Sequence, residues 1–336
     1  MKYDLITVNE NGLYCPAGGF YIDPWRPVER AVITHAHSDH ARPGHSYYLA
    51  HNHCAPILRL RLGQDINLET MEYGETRAMN GLRVSLHPAG HVLGSAQVRI
   101  EHGGKVWVVS GDYKLENDRL TPAFEPIHCH TFITESTFGL PVYKWRPQDE
   151  IFEQVNQWWA ENQGKNKASI LIAYALGKAQ RLVENLDHSL GDIYAHGAVF
   201  NVHTKFREAG ITLPEIKYAG PDMPKSAFMR SLIIAPPSAL NTPWMRRFEP
   251  YSTAIASGCM AIRGNKRRKA VDRGFALSDH ADWQGLNEAI NACGAERVFV
   301  THGYQDVMVK WLGEKGKEAH ELKTEFVGES EEFDGL

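Results

Sequence analysis

Within six residues, His35-Ala36-His37-Ser38-Asp39-His40, the chain offers four side chains that can bind a metal ion. They follow an apolar run, residues 30–34, that reads as a short strand. In extended backbone His35 and His37 point to the same side, so both can reach one ion. A turn at Ser38 can then swing Asp39 and His40 toward a second ion. Imidazole nitrogen combined with carboxylate oxygen suits zinc and tolerates manganese or iron. Polar turns also collect histidine and aspartate, but have no reason to keep this spacing.

The elements that must position such a cluster read as follows. Up to about residue 140 the pattern is of short strands joined by turns. Residues 82–86 alternate toward His87-Pro88, and residues 97–101 and 105–110 flank His102-Gly103-Gly104 as a hairpin. Residues 131–134 form another strand that ends at Glu135. From Pro147 the pattern changes to alternating helix and strand. Ile151, Val155, Trp158 and Trp159 make one helical face, residues 169–175 a buried strand, and residues 177–190 a second helix. Strands are expected at 192–195, 232–235, 253–257, 275–278 and 297–300, with a helix at 283–292 that Gly294 terminates. The fold class is therefore α/β, without internal repeats or low-complexity segments.

HxHxDH is the signature of the metallo-β-lactamase superfamily, and the rest of the chain resembles that pattern in order. The resemblance implies an αββα sandwich in which His35, His37 and His91 hold one divalent ion. Asp39, His40 and His302 hold a second, and Asp112 is shared. Asp23 matches the aspartate that orients the ligand loop. Thr134-Glu135-Ser136-Thr137-Phe138-Gly139 resembles the E-S-T-[YF]-G signature of the β-CASP branch, whose members cut nucleic acids. That branch implies Glu135 supporting a further histidine, His280 in Ser278-Asp279-His280-Ala281-Asp282, and an inserted α/β domain. Residues 144–270 stand in that position, leaving 1–143 and 271–336 as the discontinuous metallo-β-lactamase domain. Gly177-Lys178-Ala179-Gln180 is similar to the branch's glycine–basic–x–glutamine helix start. Within the branch the chain is most similar to the bacterial ligase-associated DNA exonucleases.

The resemblance implies a phosphodiesterase with two ions, zinc expected and manganese the alternative. A hydroxide held by the ions would attack phosphorus, and Asp39, Glu135 and His280 are the expected catalytic residues. A DNA exonuclease in repair, functionally associated with a DNA ligase, is expected. RNA processing, endo- or exonucleolytic, is the alternative, because His302 fills a position that tends to be histidine in RNA-cutting members. A small-molecule metallo-hydrolase needs the metal ligands but not Glu135 or His280.

Charge divides along the chain. Residues 144–275 carry 19 Lys+Arg against 12 Asp+Glu, while the remainder is acidic and the whole chain has a net charge of −4. Lys178, Arg263, Lys266 and Arg267 are candidate phosphate contacts, as are Ser136 and Thr137 in the signature and Ser257-Gly258 through backbone N–H groups. Five scattered cysteines indicate neither a disulfide framework nor a zinc knuckle. With no apolar stretch of membrane-spanning length and no leader-like start, a cytoplasmic location is expected; the oligomeric state is left open. Binding to a phosphate chain is expected to weaken steeply with salt in a fluorescence titration. A flat response removes the basic segment from the binding surface.

Overall fold

The computed structural model describes residues 4–262 and 270–326. They form two compact units, residues 4–141 with 280–326, and residues 142–279. The first unit opens with β1 (Thr7–Asn9), β2 (Gly12–Cys15), β3 (Phe20–Ile22), β4 (Arg30–Val32) and β5 (Tyr47–His51). Helix α1 (Ala55–Leu62) leads to β6 (Leu68–Met71), and these six strands form one sheet in chain order. Next come β7 (Thr76–Met79), β8 (Leu82–Pro88), β9 (Ala96–His102), β10 (Lys105–Val109) and β11 (Thr131–Ser136).

The second unit contains α2 (Gln148–Gly164), β12 (Ala168–Ile172), α3 (Lys178–Asn185), β13 (Ile193–Ala195), α4 (Gly197–Glu208) and β14 (Lys217–Tyr218). It continues through β15 (Leu232–Ala235), β16 (Tyr251–Ala256) and β17 (Arg273–Phe275). The chain then returns to the first unit with α5 (Trp283–Ala292), β18 (Arg297–Gly303), α6 (Gln305–Glu314) and β19 (Glu318–Glu321). The last two strands complete a seven-stranded sheet, order β19-β18-β11-β10-β9-β8-β7.

Period-two alternation gives this sheet two buried faces. Val84, Val98, Trp107 and Ile133 share one cluster with Leu13, Ile22, Val32 and Leu49 of the six-stranded sheet. Val108, Phe132, Val298 and Val300 point the other way, onto Leu286 and Ile290 of α5 and Met308 and Leu312 of α6. Each such side chain removed from water contributes roughly 1.5–3 kcal/mol, which fixes the register of the strands. A one-residue slip of β11 would exchange Ile133 for Phe132 and turn Glu135 away from where it sits.

In the second unit the strands are all parallel, in the order β14-β13-β15-β12-β16-β17. Both sheet faces are covered, as parallel sheets require. Ile151, Val155, Trp158 and Trp159 of α2 join Leu171, Ile234 and Ala254 on one face. Phe228 and Phe248 join Ile170, Ile233 and Ile255 on the other.

Several boundaries differ from expectation. The second unit extends past residue 270, because β17 pairs with β16 before the chain returns at His280. The helix expected over 177–190 stops at Asn185. Leu186 turns extended, and Asp187 accepts the Ser189 N–H at 2.9 Å to start a separate 3-10 turn at His188–Leu190. Glu135 and His302 lie within β11 and β18 rather than just beyond them. Helix α1 interrupts a region that reads as strands and turns.

Two buried histidines couple the first unit's stability to pH. His45 accepts the Val28 N–H at 3.3 Å, and His51 lies stacked 3.6 Å from the Tyr73 ring. Burial lowers His45 from 6.5 to about 4 and His51 to about 3. Their neutral forms therefore stabilise the fold fully above about pH 6.5, the unfolded value. That contribution is lost as pH falls toward 4 and then 3. The urea midpoint is expected to fall over this window, and less steeply in His51→Gln. An unchanged slope in the variant would contradict the assignment.

Candidate metal centre

Three loops and the end of β18 bring the metal-capable side chains together, each loop fixed by its strand. The segment after β4 is held by Asp23, whose carboxylate accepts the Thr34 N–H at 2.7 Å and the Thr34 hydroxyl at 2.5 Å. His91 follows β8 in a turn where its N–H donates to Ser95 Oγ at 3.1 Å. Asp112 follows β10 through Gly111, whose φ is +58 and where a Cβ would fall 2.7 Å from Thr34. Glycine is thus required for the Asp112 loop to lie against the histidine loop. His302 is fixed through its carbonyl, which accepts the Ser136 hydroxyl at 2.7 Å.

Among the described residues, three groups of His, Asp or Glu bring potential ligand atoms within 4.8 Å of one another. The first is His35, His37, His91 and Asp112. His37 Nδ1 lies 3.2 Å from His35 Nε2 and 3.1 Å from His91 Nε2; Asp112 Oδ2 lies 3.5 and 3.8 Å from those same two nitrogens. Ligands about 2.0–2.1 Å from a tetrahedral ion stand roughly 3.3–3.4 Å apart, so these spacings fit one ion. The second group is His40, Asp112 and His302. Asp112 Oδ1 is 3.5 Å from His40 Nε2 and 3.2 Å from His302 Nε2, and Asp39 Oδ2 stands 3.5 Å from His40 Nε2. His40 Nε2, His302 Nε2 and Asp112 Oδ1 are buried with no well-aligned hydrogen-bond partner among the described residues. Three orphaned polar atoms facing each other are costly unless a cation joins them.

The outward-facing nitrogens are committed elsewhere, which sets the rings. His35 Nδ1 is 3.1 Å from Thr34 Oγ1, His302 Nδ1 is 3.0 Å from Thr301 Oγ1, and His40 Nδ1 is 2.8 Å from Asp23 Oδ2. Such partners orient a ligand ring and fix its tautomer. Burial, reinforced by neighbouring His40, pushes His35 well below its ordinary range and keeps it neutral. Burial also opposes charge on His40, but Asp112, Asp39 and Asp23 outweigh it and raise the ring to about 10. Asp112, although burial disfavours its charge, is held well below the carboxylate range by His40 and His302. The centre thus carries a carboxylate excess that a cation neutralises.

The third group is Asp112, Glu135 and His280. Glu135 Oε1 accepts the Tyr113 N–H at 2.7 Å, Oε2 accepts the Thr137 hydroxyl, and His280 Nδ1 lies 3.1 and 2.9 Å from the two oxygens. With its acceptors occupied, Glu135 suits the orientation of an imidazole better than the binding of another ion. The His280 ring centroid is 4.5 Å from that of His91, beside the first group.

The expected phosphate contacts are placed as follows. Ser136 and Thr137 are fully buried, one bonded to the His302 carbonyl and the other to Glu135, and so brace the residues of the centre. Lys178 is also fully buried, 3.4 Å from Asp279 and 4.9 Å from the Tyr174 ring centre. Ser257 and Gly258 are enclosed, with Ser257 Oγ accepting the Cys259 N–H at 3.2 Å. Arg263, Lys266 and Arg267 lie outside the described residues. His51-Asn52-His53-Cys54 contributes to none of the three groups. Thr34, Ser95, Tyr113 and Thr301 support the centre without any sequence signal, because a lone hydroxyl or a backbone N–H carries no spacing pattern.

No family model matches the chain. It is 30% identical over 312 residues to a protein named "Probable DNA ligase" from Opitutus terrae, covering 92% of this chain and 30% of that protein. It is 37% identical over 123 residues to "Endoribonuclease ysh1" of Aspergillus fumigatus, 36% of this chain and 14% of the relative. The corresponding Saccharomyces cerevisiae protein is 34% identical over 122 residues. The chain spans less than a third of the length of these relatives. In three dimensions it is similar to a protein of unknown function from Enterococcus faecalis V583, with TM-score 0.58, 12% identity, and coverage of 81% of this chain and 74% of that one. This supports a shared mixed α/β fold.

Because Asp112 contributes an oxygen to each of the first two groups, Asp112→Ala is expected to lower the content of both ions. His302→Ala should cost one ion and leave the other. Mass-spectrometric metal analysis of dialysed protein tests this; undiminished content in Asp112→Ala would contradict the shared role.

Proposed function

We propose that the chain is a metal-dependent nuclease with a metallo-β-lactamase αββα domain and an inserted β-CASP domain, and that it hydrolyses phosphodiester bonds. The observation that carries this reading is Asp112 between two buried donor groups with the Glu135–His280 pair adjoining. Metal ligands alone serve many hydrolases of small molecules. A carboxylate-oriented histidine beside them adds a proton donor suited to a poor leaving group.

When bound, two divalent ions, zinc first and manganese second, would polarise the phosphate and lower the pKa of water. The chain's own residues do the rest. His35, His37, His91 and Asp112 hold one ion; His40, Asp39, His302 and Asp112 hold the other. Asp23 keeps His40 turned inward. Glu135 fixes His280 through Nδ1, so that the imidazole can pass a proton to the departing oxygen.

DNA is the leading substrate, in an exonuclease acting in repair alongside a DNA ligase. The support is the similarity over 92% of the chain to a protein named as a DNA ligase. RNA is the second reading, supported by the shorter similarities to endoribonucleases and by histidine at position 302. Among the described residues no helix is long and apolar enough to cross a membrane. A cytoplasmic location completes the proposal.

Single- and double-stranded DNA and RNA, labelled at either end and offered with zinc, manganese or a chelator, test it. The expected result is metal-dependent release of mononucleotides from DNA. His280→Ala is expected to slow turnover about 10²–10⁴-fold with both ions retained. Near-normal turnover in that variant, or metal-loaded protein that cuts none of the four substrates, would overturn the reading.

A further inference from the structure

A phenylalanine outside the ligand segments lies directly on one of the candidate ligands. Phe326, only 9% exposed, is stacked on His40 with centroids 4.2 Å apart and planes 14° from parallel. Its edge meets His302 at 5.8 Å and 80°. It therefore touches both histidines of the second donor group; within its own segment His40 meets the His35 ring at 4.2 Å, but tilted by 42° and not stacked.

Two devices hold the ring there. Leu322 donates its N–H to the Val300 carbonyl at 2.8 Å, anchoring the segment after β19 to the strand that carries His302. Glu325, next to Phe326, makes a two-pronged pair with Arg26, both N–O distances 2.7 Å. Arg26 belongs to the loop that also supplies Asp23 to His40 Nδ1, and Trp25, whose ring meets Phe326 edge-on at 5.9 Å. One loop thus grips the His40 edge through a carboxylate and supports its face through Phe326. A hydrogen bond at one nitrogen leaves a ring free to tilt about that bond; a stacked neighbour removes the tilt.

We infer that Phe326, clamped by the Arg26–Glu325 pair, is a positioning residue for the second metal ion, holding the His40 ring so that Nε2 faces Asp112 and His302. This rests on the metal-dependent reading above and adds a residue that touches neither ion nor substrate. The first group, His35, His37, His91 and Asp112, has no Phe326 contact among the described ring pairs, so the effect is confined to one ion.

Zinc binding to metal-free protein, measured by competition with a chromophoric chelator, separates the two ions. Phe326→Ala is expected to weaken the second ion about 10–100-fold and leave the first within about twofold. Phe326→Tyr keeps the stack and should restore the second ion. Arg26→Ala, at a solvent-exposed pair of the kind that contributes little to stability, is expected to weaken the second ion in the same direction. Reversing the pair, Arg26→Glu with Glu325→Arg, should recover it. Wild-type affinity for both ions in Phe326→Ala, or equal loss of both in Arg26→Ala, would overturn the inference. If Phe326→Ala does not fold, the Arg26 variants decide it. Wild-type protein that binds no zinc overturns the functional reading itself, and the inference with it.

Discussion

A buried carboxylate with two histidine groups converging on its two oxygens is the constraint around which the first unit is arranged. Asp112 is 4% exposed, and each oxygen faces imidazole nitrogens from a different set of loops. Taking that charge out of water costs several kcal/mol unless positive charge compensates it. In the chain alone the compensation falls on His40, driven to about 10 by three carboxylates, while His35 stays neutral. Attraction between His40 and these carboxylates thus adds to the strands, carboxylates and hydroxyls that hold the ligand segments in place.

The supports have a common form. Asp23, Thr34 and Thr301 each hold the outer edge of a ligand ring, and Glu135 does the same for His280. The backbone is drawn close enough that side chains would collide. At Gly303, with φ +83, a Cβ would fall 2.2 Å from the Ser136 carbonyl oxygen, so β11 and β18 approach where Glu135 and His302 are carried. That approach explains why the signature threonine and serine face inward. They tie β11 to β18 and to Glu135, and the polar character that suggests a substrate contact is consumed in positioning.

Much of the centre was legible because metal ligands must satisfy a spacing. His35, His37, Asp39 and His40 betray themselves within one loop, and His91, Asp112 and His302 follow an ordered pattern of apolar run and turn. The β9–β10 hairpin and α5 were legible for similar local reasons. Contacts made across the fold were not. Lys178 reads as a phosphate contact, and its burial beside the distant Asp279 and the Tyr174 ring shows only in the fold. Phe326 is one aromatic in a glutamate-rich stretch, with nothing nearby in sequence to link it to His40. The three-residue strands β1 and β3 and the weakly amphipathic α1 are too short for periodicity to show.

The proposal turns on whether Asp112 would serve two metal ions at once. Anomalous diffraction from crystals grown with zinc, collected on both sides of the zinc edge, tests it most directly. The account predicts two peaks flanking Asp112, one among His35, His37 and His91 and the other between His40 and His302. A single peak, or one lodged between Glu135 and His280, would contradict it.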